Sequence, residues 1–443
     1  MTILVLTTAD TEILALRSVI EGLPAGFPAV RAANPSAMAP GEPSLDGVTC
    51  VLVRLLGGRR AWEAGFDDLR RRCVDGAVPL LAFGGEAAPD AELTGRSTVP
   101  AATVAQAFEY LLHGGLDNTA QLLRFVADTV LMGGWGFDAP VEVPAHGVWG
   151  GARADPDRPV VGIVFYRAHV LSGNTTFVDD LAAAVEARGG SPFPVWCYSL
   201  RRDGGDGDGG GGGGGAVVDL LAGAGVGAVI TTVLAAGEAG ADDDQWDPGA
   251  LAGLDVPVIQ AVCATAPEAT WSASDAGLSP VDVAMAVAIP EFDGRIVSVP
   301  VSTKELVDDG DALGWPVTAY RSIPDRADRV AGLAVRLASL RRVPPAERRV
   351  AIVLSAYPTR RSRIGNAVAL DTPASVIALL HALRAAGYRV DRIPDSGDEL
   401  MAELADGLTY DREALTPAQV GRAAGRWPAA AYRAWWDTVP GPA

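Results

Sequence analysis

The chain has 443 residues, 49% of them apolar, which is enough for roughly two to four domains with buried cores. Its 36 Lys and Arg against 54 Asp and Glu give a net charge of −18, so nucleic acid and anionic membrane surfaces are excluded as expected partners. No apolar stretch approaches the ~20 residues needed to span a bilayer.

Short apolar runs alternate with helical patterns along the chain, the signature of βαβ units. Ile3–Leu6 is a predicted strand, followed by a helix from about Thr11. Val48–Leu55 and Val78–Phe83 are further strands, with helices over Ala61–Cys73 and Val104–Leu112. A Gly-, Trp- and Pro-containing stretch, Gly133 to Pro159, reads as a linker. Val160–Tyr166 is an apolar run suited to a central strand covered on both faces. Asn174 or Thr175 is placed to cap the helix that runs to about Arg188. Phe193–Ser199, Ala228–Thr232 and Pro257–Val262 repeat the strand pattern. Ser279-Pro280 starts a helix to Val287, Ile289–Gly294 is a predicted turn, and Arg295–Val301 the next strand. Beyond Arg348 come a strand (Val350–Leu354), a helix from Thr372-Pro373 to Ala386, and a strand (Tyr388–Ile393).

The expected fold is therefore α/β: several doubly wound parallel-sheet (flavodoxin-like) domains in tandem. They are an N-terminal domain over 1–135, a linker over 136–159, a central domain over 160–345, and the start of a further domain over 346–443. Because the chain ends soon after that last domain begins, a longer or split natural protein is expected. Residues 204–215 hold ten glycines with Asp206 and Asp208, a flexible loop spanning about 20 Å. The lysine and Ser/Thr of a phosphate-binding loop are missing from it. Cys50, Cys73, Cys197 and Cys263 form no C-x-x-C pair, which points to a reducing compartment, and the N-terminus lacks a signal-peptide pattern. A cytoplasmic protein is expected.

Three groups of residues have chemical potential. Arg167-Ala168-His169 lies at the C-terminal end of the Val160–Tyr166 strand, where ligands collect in open α/β sheets, with Asn174 just beyond. Arg167 suits a carboxylate; His169 suits a metal ion or a proton from a pyrrole nitrogen, and equally a histidine held by backbone hydrogen bonds. Glu291 and Asp293, two residues apart in a turn, suit a divalent cation or proton removal, and equally ordinary turn chemistry. Tyr357 to Asn366, with Arg360, Arg361 and Arg363, is a basic loop before a helix start, able to hold anions or simply solvated. His113, His146 and His381 lack metal-ligand spacing, and Asp242-Asp243-Asp244 reads as a solvated loop.

Several segments resemble the large-subunit family of aerobic cobaltochelatase, related to the porphyrin-binding subunit of magnesium chelatase. They are Thr8-Ala9-Asp10-Thr11, Val53 to Arg59, Ser97 to Pro100, Gly114 to Asn118, Val161 to His169 with Gly173-Asn174-Thr175, Ala288 to Arg295, Gly365 to Val368, and Leu370 to Ser375. The matches keep their order from residue 3 to about 400, as in the N-terminal portion of that subunit. The resemblance implies ATP-driven insertion of Co²⁺, as substrate, into hydrogenobyrinic acid a,c-diamide on the way to cobalamin. It implies a tetrapyrrole-binding chain whose ATP is hydrolysed by two smaller motor subunits, in keeping with the missing phosphate loop. His169 and Glu291 become the first candidates for catalysis and metal contact, and Arg167, Asn174 and Asp293 for substrate binding. Members of the family are usually more than twice as long as this chain. A non-catalytic tetrapyrrole- or cobalt-binding module, and a magnesium chelatase subunit, are the alternative functions.

Overall fold

The computed structural model describes residues 1–39, 42–201, 213–234, 238–239, 246–310, 312–355, 364–409 and 411–439. Most of the glycine tract, the Asp242–Asp244 cluster and the Arg360–Arg363 part of the basic loop lie outside the described residues. The chain divides into two compact units, Met1–Ser339 and Leu340–Ala443.

The first unit opens with β1 (Thr2–Thr7), α1 (Asp10–Ile20), β2 (Ala29–Ala33), β3 (Cys50–Leu55), α2 (Glu63–Asp75), β4 (Leu80–Gly84), α3 (Ala91–Arg96), α4 (Ala101–His113) and α5 (Leu116–Thr129). Its four strands pair in parallel in the order β2-β1-β3-β4. Because side chains alternate across a strand, the apolar runs supply both faces. Ile3, Cys50, Leu52 and Phe83 pack under α1, α4 and α5, through Leu14, Phe108 and Leu123. Leu4, Leu6, Val51 and Val53 pack under Phe66 and Leu69 of α2. Each fully buried Leu, Ile or Phe contributes about 1.5–3 kcal/mol.

Next come β5 (His146–Val148), β6 (Val160–Tyr166), α6 (Arg167–Ser172), α7 (Thr176–Ala187), β7 (Ser191–Cys197), α8 (Gly214–Gly223) and β8 (Ala228–Thr231). A two-residue ribbon, β9 (Glu238–Ala239) with β10 (Trp246–Asp247), precedes β11 (Val258–Ala264). Then follow α9 (Glu268–Ser272), α10 (Pro280–Val283), α11 (Ile289–Phe292), β12 (Ile296–Asp309), β13 (Pro316–Ser322) and α12 (Pro324–Arg342). The second sheet runs β13-β12-β11-β8-β6-β7-β5. Its parallel part, β7-β6-β8-β11-β12, has the flavodoxin-like order, and the antiparallel β5 and β13 close its edges. Gly162 sits in β6 because a Cβ there would lie 2.7 Å from Leu221 of α8. Among the described residues both sheets thus have the doubly wound α/β character expected.

The β12–β13 hairpin reaches back to the first sheet. Leu313, Val317 and Ala319 join the core above β1 and β3, and Arg17 of α1 binds Asp308 at 2.5 Å.

Two expectations are corrected. Ile289–Gly294 is not a free turn: a π-helical turn, Ala284–Ala288, links α10 to α11, so helix runs through to Phe292. Pro290 has no N–H to give and its ring crowds the preceding turn; the wider π turn accommodates it. In the second unit, Val350–Leu354 and Tyr388–Ile393 are not strands. A strand exists only through a ladder partner, and the described residues there supply none; Val353 is 89% exposed. That unit instead holds α13 (Thr372–Ala385), α14 (Gly397–Asp406), α15 (Pro417–Gly421) and α16 (Ala429–Trp436), with Asp371 capping α13 through the Ala374 N–H.

Candidate functional site

In an open α/β sheet, the carboxyl ends of the strands at the point where the winding reverses form a natural crevice. The first sheet reverses between β1 and β3, where Thr7 and Arg54 are register partners. The Arg54 guanidinium forms an ion pair with Glu12, which sits in the first turn of α1. The second oxygen of Glu12 accepts from the Thr7 hydroxyl at 2.5 Å. The second sheet reverses between β6 and β8, and Arg167 follows directly on β6. The two edges face one cavity of about 230 Å³, lined on one side by Glu12 and Arg54 and on the other by Arg167 and Leu171.

Arg167 does not stand open at the strand end. Its Nε donates to the Pro144 carbonyl at 2.9 Å, and its Nη2 to the carbonyls of Val143 and His113 at 2.8 and 3.2 Å. It pins the segment after α5 against the second sheet. His169, two residues along α6, lies edge-on to Phe177 and Tyr320, with ring centroids 4.9 and 5.7 Å away. Burial among these rings pushes the imidazole down to about 4, so it is neutral at physiological pH. A neutral imidazole is the form that accepts a proton or a metal ion. Asn174 is buried, and its side chain accepts from the Tyr320 N–H at 3.2 Å rather than capping α7. The helix start at Thr175 carries no side-chain cap. Asn174 therefore ties the end of α6 to the edge strand β13, on which Tyr320 meets His169.

The two carboxylates near the end of α11 are in different environments. Glu291 is exposed. Asp293 and Arg295 form a 2.8 Å ion pair whose side chains are only 1% and 3% exposed. Arg295 also donates to the Val233 carbonyl and Gln260 Oε1, both at 2.6 Å, and to the Leu234 carbonyl at 3.2 Å. The Leu234 N–H in turn donates to the Tyr166 hydroxyl at 3.1 Å. Burial lowers the Arg295 guanidinium while Asp293 opposes the fall. Asp293 is thus a partner inside a network joining β6, β8, β11 and β12, and the pair Glu291/Asp293 does not converge on one ion. Among the described residues, no three His, Cys, Asp or Glu side chains gather as a metal cluster.

Glu12 and Arg54 were not among the residues singled out from the sequence. Their signal was available: an arginine at the end of the apolar run Cys50–Leu55 must find a partner where the strand emerges.

A family model described as CobN/Magnesium Chelatase matches residues 108–443. The aerobic cobaltochelatase subunit CobN of Pseudomonas aeruginosa is 33% identical over 431 residues, 93% of this chain and 34% of that protein. The aerobic cobaltochelatase subunit CobN of Sinorhizobium sp. is 32% identical over 443 aligned residues, with the same shares. Among solved structures, the catalytic subunit of cobaltochelatase from Mycobacterium tuberculosis shares 43% identity and a TM-score of 0.74, over 99% of this chain and 35% of that one. The chain thus spans about a third of the length of the relatives it matches. The family model covers residues 108–443 and the relatives and fold nearly the whole chain, which belongs to the CobN/magnesium chelatase family.

Proposed function

We propose that the chain is a tetrapyrrole- and metal-handling part of the large subunit of a cobaltochelatase. The reaction is insertion of Co²⁺ into hydrogenobyrinic acid a,c-diamide in cobalamin synthesis, with ATP hydrolysed by two smaller partner subunits. The observation that carries this reading is the 43% identity to a cobaltochelatase catalytic subunit over 99% of the chain. Insertion requires a group that takes protons from the ring nitrogens as the ion enters. His169, which burial keeps neutral and so suits to metal contact, and Glu291, exposed beyond the Asp293–Arg295 anchor and suited to proton or metal contact, are the side chains assigned. Arg167 is assigned to a substrate carboxylate, through the Nη1 that its three backbone bonds leave over. Asn174 and Asp293 serve the substrate by positioning, one fixing the His169 helix and the other the Glu291 turn.

The test is metal insertion, followed by the absorbance of the macrocycle, with the chain working alongside the remainder of the large subunit, the motor subunits and ATP. His169→Ala and Glu291→Gln are each expected to lower the rate about a hundredfold or more, the lower end of what a proton-transfer group contributes, with the fold retained. Unchanged rates in both variants would remove these residues from the site. Turnover with Mg²⁺ and a porphyrin in place of Co²⁺ would move the assignment to the magnesium branch.

A further inference from the structure

The cavity between the two sheets contains a residue whose bonding is incomplete. Arg54 is only 15% exposed. Its Nη1 is taken by Glu12 and by the Leu111 carbonyl, and its Nη2 by the Gly85 carbonyl. Its Nε is buried without any hydrogen-bond partner. Leaving such a charged donor unmatched away from water is unfavourable. Glu12 is no remedy, since both its oxygens are engaged, one by Arg54 and the other by Thr7. The Nε is closed off from the cavity, so the donor capacity left in the lining is the second hydrogen of Arg54 Nη2 and the Nη1 of Arg167. Two cations face one anion there, and α5, fourteen residues long, begins just after the lining residue Gly115 with the positive end of its dipole. Leu111, Leu122 and Leu171 give the rest of the wall an aliphatic part, beside the hydroxyl-bearing Thr11, Thr119 and Ser172.

We propose that this cavity is a carboxylate site, in which a short alkyl carboxylate places its oxygens on Arg54 and Arg167 and its carbon chain against the leucines. At about 230 Å³ it is below the usual range for drug-sized ligands. It takes a side arm of a few carbons and excludes a macrocycle. The occupant is either a free short-chain acid or the carboxylate arm of a larger ligand lying outside; the tetrapyrrole arm rests on the function proposed above.

The experiment is calorimetric titration of the full chain with propionate, with propionamide as the neutral counterpart. Propionate is expected to bind and propionamide to bind roughly tenfold or more weakly, the size of one charge-assisted hydrogen bond. Arg54→Leu is expected to lose propionate binding. Because that variant strands Glu12, Ala168→Phe, which adds bulk at the lining without removing a buried bond, serves as the second, and it too loses propionate. Hydrogenobyrinic acid a,c-diamide that competes with propionate identifies the tetrapyrrole arm as the occupant. Tetrapyrrole binding without competition identifies the free acid, and propionate binding with no tetrapyrrole binding supports the cavity while removing the substrate role of this chain. Equal binding of propionate and propionamide, no binding of either, or unchanged propionate binding in Ala168→Phe overturns the proposal; tetrapyrrole binding that survives in such a case leaves the proposed function standing.

Discussion

Arg295 and Asp293 illustrate how a charge is kept inside this protein. Removing both from water is costly, and the four hydrogen bonds of the guanidinium to Asp293, Gln260 and two carbonyls offset that cost. Taking away the acid alone leaves a buried cation. Asp293→Ala is therefore expected to lower the unfolding free energy by about 3–5 kcal/mol, read by denaturant titration; a loss below about 1 kcal/mol would mean that the pair is not buried in solution. His169 carries the opposite logic. An exposed histidine gains its proton near 6.5, whereas the folded chain resists protonation until about 4. The stabilising contribution is thus complete above pH 6.5 and lost as pH falls from there towards 4, by on the order of 3 kcal/mol. Comparing the chain with His169→Leu across that window checks it: a constant difference in stability would place the imidazole in water. The thiols of Cys50 and Cys197, pushed up to about 12 by burial, are expected to resist alkylation at pH 8 until the chain is unfolded.

At the scale of elements, strands buried on both faces were legible because their signal is local. Ile3–Leu6, Cys50–Val53 and Val160–Phe165 are apolar throughout, and a parallel sheet demands that. The run Val350–Leu354 has the same composition yet forms no strand, because pairing depends on a neighbour that composition does not report. Pro290 read as a helix breaker, since nothing in the sequence announces a π turn that relieves it. The candidate site was legible in the same uneven way. Arg167 and His169 could be placed at a strand end from the run before them. Glu12 and Arg54, 42 positions apart, meet only because β1 and β3 are neighbours across the switch point. Gly162 supplies an element-scale test, since its hydrogen occupies the contact between β6 and α8. Gly162→Val is expected to cost at least 1–3 kcal/mol, the usual penalty of overpacking, in thermal or denaturant unfolding. Wild-type stability would mean that α8 does not press on the strand.

At the scale of the whole molecule, two doubly wound sheets are fastened into one unit by the hairpin of β12 and β13. Its apolar tip residues enter the first core, and Arg17–Asp308 and Lys304–Asp10 bridge the outside. Hydrogen exchange is accordingly expected to show β1, β3, β6 and β8 opening together, at one free energy; first-sheet amides exchanging far faster than second-sheet amides would show two independent domains. The cavity lies between the two sheets, with one wall from each. Titrating the full chain with hydrogenobyrinic acid a,c-diamide, followed by absorbance and fluorescence with and without Co²⁺, tests the proposed function most directly. The account predicts saturable binding, weakened by His169→Ala and Glu291→Gln. No binding at any concentration up to saturation of the ligand would contradict it, and would place the tetrapyrrole site outside these 443 residues.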